Sequence, residues 1–190
     1  MIRSFIAIEL PDEIRRALDQ VQKDLKSVRG VRWVQPDSIH LTLKFLGSIV
    51  AEQVTAIAAA VGKVVHGEPP LALNVSGLGA FPNARRPRVI WVGIVGDVER
   101  LGRLQARLEE TLEPLGFPRE ERSFRPHLTL GRVKEPRRPP DLTRALAETT
   151  VPASNPFDVR EILVYKSDLR PTGAIYTKLQ HLPLAGPAKL

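Results

Sequence analysis

Apolar residues run together or alternate from Arg3 to Glu9 and then recur at Ile14, Leu18, Val21 and Leu25. The first pattern predicts a strand and the second one face of a helix. A second strand is predicted near Ile39, after Pro36-Asp37, running through His40-Leu41-Thr42-Leu43-Lys44-Phe45-Leu46 to Gly47. Helical spacing returns at Val54, Ile57, Val61 and Val64, and Gly67 with Pro69-Pro70 ends that helix. Strand character resumes from Leu71 to Val75.

The same order then recurs. Phe5-Ile6-Ala7-Ile8 corresponds to Trp91-Val92-Gly93-Ile94, 86 positions on, and His40-Leu41-Thr42-Leu43 to His127-Leu128-Thr129-Leu130, 87 positions on. Val98, Leu101, Leu108 and Leu112 repeat the first helix, and Asp141 to Ala147 is a shorter version of the second. Phe157 to Tyr165 matches Leu73 to Phe81 at an offset near 84. The expected fold class is therefore α+β: duplicated strand-helix-strand units forming two lobes, with antiparallel-rich sheets around a central cleft. Residues 1–190 are expected to form one domain of two pseudo-symmetric lobes, with sequence repeats at about 1–86 and 87–183. Lobes and repeats need not coincide, because strands at 71–79 and 88–95 can pair as a hairpin across the repeat boundary. The Pro- and Arg-rich stretches 81–87 and 134–140 are expected loops, and the tail from Leu184 carries no periodicity.

Composition narrows the chemistry. A chain of 190 residues with 43% hydrophobic content can build a core. No apolar stretch reaches the roughly 18 residues a bilayer span needs, and the N-terminus lacks signal-peptide features. A soluble, cytoplasmic protein without membrane association is expected, and a monomer. The lack of cysteine removes disulfides, thiolate nucleophiles and Cys-ligated metal sites. The net charge is +7, and 20 of the 28 cationic side chains are Arg, whose planar fork suits phosphate. That balance fits an anionic partner such as nucleic acid, although an ordinary solvated surface gives the same count.

The two tetrads carry the chemistry. Side chains alternate along a strand, so His40 and Thr42 share one face while Leu41 and Leu43 share the other, and the second tetrad repeats this. Two quasi-equivalent lobes would set both polar pairs across one cleft. Displacement at phosphorus needs a base for the attacking water or hydroxyl and an acid for the leaving oxygen, and imidazole can do either near neutral pH. Threonine hydroxyls can hold non-bridging oxygens, and nearby cations can offset developing charge. With 9 Thr in the chain, a given His has about a 5% chance of a Thr two places on, and two such hits among four His is about a 1% event.

The alternatives weigh less. Each His could simply be a hydrogen-bonded strand residue, and each Thr present for its β-propensity. Neither His has a second His four positions on, nor a carboxylate within its motif, so no metal and no other cofactor is expected. His66, ending a helical pattern, and His181, expected to follow the last strand, read as surface residues. Alternation puts Lys44 on the His40 face and Arg132 opposite His127 unless the strand is bulged. Lys44, Arg125 and Arg132 are expected to be solvated, and Trp33 and Trp91 to be core. A non-catalytic RNA-binding domain is the rival class. Arg-rich loops favour it, but the ten aromatics with no aromatic ribonucleoprotein signature weigh against it.

Arg3-Ser4-Phe5-Ile6-Ala7-Ile8, Ser38-Ile39-His40-Leu41-Thr42-Leu43-Lys44-Phe45-Leu46-Gly47 and Arg125-Pro126-His127-Leu128-Thr129-Leu130-Gly131-Arg132 together resemble the 2H phosphoesterase superfamily. Within it, the chain specifically resembles the bacterial and archaeal RNA 2′,3′-cyclic phosphodiesterases, formerly named 2′-5′ RNA ligases. The resemblance spans nearly the whole chain, and both tetrads are intact. It implies two α/β lobes around a V-shaped cleft, and hydrolysis of RNA 2′,3′-cyclic phosphate ends, tRNA fragments among them, to 2′-phosphomonoesters. It further implies His40 as proton donor to the departing 3′ oxygen, His127 as proton acceptor from water, and Thr42 and Thr129 as phosphate-binding residues. Joining of RNA ends through a 2′-5′ linkage, chemically the reverse of the reaction with an RNA hydroxyl as leaving group, is implied as a further activity. The residues themselves give the pair, not which member is acid.

Overall fold

The structure is a computed structural model that describes residues 1–135, 141–170 and 173–186. The first strand, β1 (Ile2–Ile8), is followed by helix α1 (Asp12–Asp24), whose buried face is Ile14, Leu18, Val21 and Gln22. The short β2 (Val31–Trp33) leads through a single 3₁₀ turn at Pro36–Ser38 to β3 (Leu41–Ile49), then α2 (Gln53–Val65), β4 (Leu71–Phe81) and β5 (Val89–Gly96). Helix α3 (Val98–Leu112) precedes β6 (His127–Val133) and the short α4 (Thr143–Glu148). The chain ends in β7 (Phe157–Val159), β8 (Glu161–Arg170) and β9 (Gly173–Pro183).

The strands form two antiparallel sheets, one in the order β3-β1-β8-β9 and the other β2-β6-β5-β4-β7. Each sheet takes strands from both halves of the sequence. The expected hairpin across the repeat boundary is present as β4 and β5. Helix α2 packs on β9, α3 packs on β3 and β4, and α2 and α3 pack on each other. Alternating apolar residues of both sheets and the helical stripes merge into one core that includes Ile6, Ile8, Leu18, Ile57, Leu101 and Ile162.

Two expectations change and one strand is added. Phe157 to Tyr165 is two strands: β7 pairs with β4, and after Arg160 the chain crosses to the other sheet, where β8 pairs with β1. That crossing makes the second half differ from the first, whose equivalent segment is the unbroken β4. His181 does not follow the last strand but lies within β9, opposite Leu163, with Nδ1 3.0 Å from the Glu161 carboxylate. β2 is the added strand: its three residues are too short for a period to register. Of the expected loop at 134–140, residues 136–140 lie outside the described residues, as does the tail from 187 on.

Candidate active site

Both tetrads take the orientation that alternation predicts. Leu41, Leu43, Leu128 and Leu130 are all buried, each such side chain contributing roughly 1.5–3 kcal/mol, so both motifs are anchored from behind. His40, Thr42, His127 and Thr129 remain partly exposed on the other face. The strands that carry them, β3 and β6, approach one another although they belong to different sheets.

The two imidazoles are held in the same way. His40 Nδ1 lies 2.9 Å from the Ser38 carbonyl, and His127 Nδ1 lies 2.7 Å from the Arg125 carbonyl, in each case two residues back along the chain. A carbonyl can only accept, so each Nδ1 carries its proton and donates it. In the neutral ring this leaves the Nε2 lone pair as the reactive position.

At the last residue of each tetrad the strand bulges, and the bulges are equivalent. Against β1, Thr42 pairs with Ala7 and Lys44 with Ile6, leaving Leu43 unpaired; against β5, Thr129 pairs with Trp91 and Gly131 with Ile90, leaving Leu130 unpaired. An extra residue reverses the alternation beyond it. Lys44 is therefore turned inward, contrary to expectation. It is neither on the His40 face nor solvated but 3% exposed, paired with the Glu109 carboxylate and donating to the Pro118 carbonyl at 2.8 Å. The same reversal places Arg132, expected on the far side, on the His127 face, where it is exposed. The position equivalent to Arg132 on the other strand is Phe45, opposite Phe5.

Each bulge is capped by a buried glutamine amide that sequence reasoning missed. Gln22 of α1 donates to Leu130 O at 2.8 Å and to Val34 O at 2.7 Å. Gln105 of α3 donates to Leu43 O at 3.3 Å and to the Glu109 carboxylate at 2.8 Å. A signal existed: each Gln stands four residues after a core leucine, Leu18 or Leu101, where the helical stripe calls for an apolar residue.

The surroundings differentiate the two histidines. Phe5 stacks on the His40 ring with centroids 4.5 Å apart, and Tyr176 meets that ring edge-on at 5.1 Å. Burial in this aromatic setting pushes the His40 pKa down to about 4, against a small opposing effect of the Ser38 carbonyl. Burial likewise raises the Tyr165 and Tyr176 hydroxyls; at Tyr176 the charges of Arg132 and Arg3 work the other way. Arg132 of one sheet thus acts on a tyrosine of the other. Beside His40 a cavity of about 120 Å³ opens toward Glu9, Arg15, Asp37 and Lys178. Burial would raise the Glu9 pKa, but hydrogen bonds and charge from Lys178 and Arg15 outweigh it, and its carboxyl is held below the usual range.

On the second sheet, Phe81 meets His127 edge-on, with centroids 5.0 Å apart, and packs against Trp91 at 5.1 Å. Trp33 packs against the core as expected. Trp91 does not: it is partly exposed on the His127 face and covers Gly79, where a Cβ would collide with the indole. The expectation failed because Trp91 sits in an apolar run whose even positions, Ile90, Val92 and Ile94, alone point inward. His66 caps the end of α2 and is exposed, as expected. Among the described residues no group of three or more His, Cys, Asp or Glu side chains is placed to hold a metal ion, and no helix is long and apolar enough to cross a membrane.

Two antiparallel sheets that exchange strands, each presenting one His-Thr pair, define the frame of a phosphoesterase. The LigT-like phosphoesterase family model matches the chain twice, over residues 8–91 and 92–176, and the chain belongs to that family. The RNA 2′,3′-cyclic phosphodiesterase of Archaeoglobus fulgidus is 35% identical over 179 residues, covering 94% of this chain and 98% of that one. Among solved structures, TT0787 of Thermus thermophilus superposes with a TM-score of 0.80 at 31% identity, over 97% and 99% of the two chains. E. coli LigT complexed with 3′-AMP superposes with a TM-score of 0.76 at 28% identity, over 96% and 98%. The chain is an enzyme of the phosphodiesterase class, a hydrolase of phosphoric esters.

Proposed function

We propose that this enzyme opens the 2′,3′-cyclic phosphate at RNA ends to a 2′-phosphomonoester, using His40 and His127 as its acid–base pair. The observation that carries the reading is the shared tautomer: both rings commit Nδ1–H to a backbone carbonyl and leave Nε2 for the substrate. The activity for which the A. fulgidus relative is named and the 3′-AMP bound by E. coli LigT support a ribonucleotide phosphate as the ligand.

In this mechanism His127 Nε2 accepts a proton from water as the water oxygen bonds to phosphorus. The P–O3′ bond breaks on the opposite side, and protonated His40 Nε2 delivers its proton to the departing 3′ oxygen. The phosphate remains on O2′. Thr42 and Thr129 donate hydrogen bonds to the non-bridging oxygens, and Arg132 offsets their charge. Burial disfavours a charged His40 in the free protein, so its donor role depends on the anionic phosphate raising its pKa on binding. With an RNA 5′-hydroxyl in place of water as the attacking group, the same steps yield a 2′-5′ linkage. The equivalent bulges and their glutamine caps support reading residues 1–190 as one domain of two pseudo-symmetric lobes.

The test is product analysis with nucleoside 2′,3′-cyclic phosphates. Exclusive release of the 2′-phosphate supports the reading, whereas the 3′-phosphate as main product would reverse the leaving group and overturn it.

A further inference from the structure

The sheet that carries His40 presents a wider surface than the two histidines use. Its register places Arg3 and Phe5 of β1, Phe45 and Ser48 of β3, Tyr165, Ser167 and Leu169 of β8, and Ala174 and Tyr176 of β9 on the face that bears Thr42. The opposite face of the same sheet, with Ile6, Ile8 and Val164, is sealed in the core. On the open face, Phe45 is 56% and Leu169 is 67% exposed. Phe45 has its ring 6.2 Å from Phe5. The floor between Phe45 and Leu169 is closely covered, with Phe5, Tyr165 and Ser167 at 3%, 6% and 9% exposure, so Phe45 and Leu169 are its exposed apolar points.

We propose that this open face is a platform for the single-stranded RNA preceding the terminal nucleotide; the proposal rests on the reading of the chain as an RNA-end phosphodiesterase. The face is continuous with the phosphate site through Phe5 and Tyr176, both of which contact the His40 ring. Its margin is basic, because Arg3 and Arg132 approach Tyr176 from two different sheets closely enough to shift its hydroxyl. An exposed ring bordered by guanidinium groups meets the two needs of a single strand, a stacking surface for bases and positive charge for the backbone. On this reading a bare nucleoside cyclic phosphate fills the phosphate site and a longer strand continues over Phe45 and Leu169, so the platform discriminates by chain length.

The experiment compares kcat/KM of the wild type, Phe45→Ala and Leu169→Ser on cytidine 2′,3′-cyclic phosphate and on a decaribonucleotide ending in the same cyclic group. Loss of one base–aromatic stack lowers the value for the decamer about tenfold in Phe45→Ala. Leu169→Ser, on an exposed strand end, lowers it by a smaller factor, and both variants stay within about twofold of wild type on cytidine 2′,3′-cyclic phosphate. Equal changes on the two substrates, or no change on the decamer, as expected if the face serves a protein partner instead, overturn the platform. Absence of turnover of both substrates by the wild type would overturn the underlying reading, and the platform with it.

Discussion

Gln22 on helix α1 holds its amide 2.8 Å from the carbonyl of Leu130, the bulged residue next to Thr129, 108 positions further along the chain. Gln105 returns the arrangement from the second half to the first, reaching Leu43 beside Thr42. Each half of the sequence thus supports the other half's tetrad. Gln22→Met keeps the volume but leaves the part-buried Val34 carbonyl, whose partner in the structure is that amide, unsatisfied. A loss of about 1–3 kcal/mol is expected in urea denaturation, together with a fall in kcat/KM as Arg132 loses its fixed placement. Unchanged stability and activity would show that the bulge needs no cap.

Lys44 and Glu109 form an ion pair at 1% and 9% side-chain exposure. Removing one partner strands a buried charge. Lys44→Met and Glu109→Gln should each cost about 3–5 kcal/mol, and the double variant carrying both substitutions should recover most of that loss. A double-mutant cycle by chemical denaturation measures it. Additive losses would mean that the two side chains do not act as a pair.

His40 makes stability depend on pH with a definite sign. Its pKa is 6.5 in the reference state and about 4 in the fold, so as pH falls the unfolded chain takes up this proton first. Stability is therefore lost between about pH 6.5 and 4 and loses no more from this group below that; at 1.36 kcal/mol per unit the whole effect is about 3 kcal/mol. His40→Asn should flatten that stretch of the profile. The mechanism adds a second expectation, that 3′-AMP raises the His40 pKa in an NMR titration of the imidazole carbons. A pKa still near 4 with ligand bound would remove His40 as the proton donor.

The histidines, threonines and leucines of both tetrads were legible because strand alternation is a local rule, and here it holds from residue 40 to 43 and from 127 to 130. Lys44 and Arg132 were not, because a bulge is a mismatch between two strands and leaves no mark on one of them. β9 was missed for a related reason. As an edge strand with few buried residues, it shows no apolar period, and its pairing with β8 supplies what its composition does not. The crossing at Arg160 depends on which sheet has a free edge, which is a property of the assembled fold.

The most direct test of the central claim is turnover of a nucleoside 2′,3′-cyclic phosphate in EDTA by the wild type, His40→Ala and His127→Ala across pH. The account predicts a bell-shaped wild-type profile insensitive to chelation, and a fall of about 10²- to 10⁴-fold in each variant. Near-normal turnover by either variant, or wild-type activity abolished by EDTA, would contradict it.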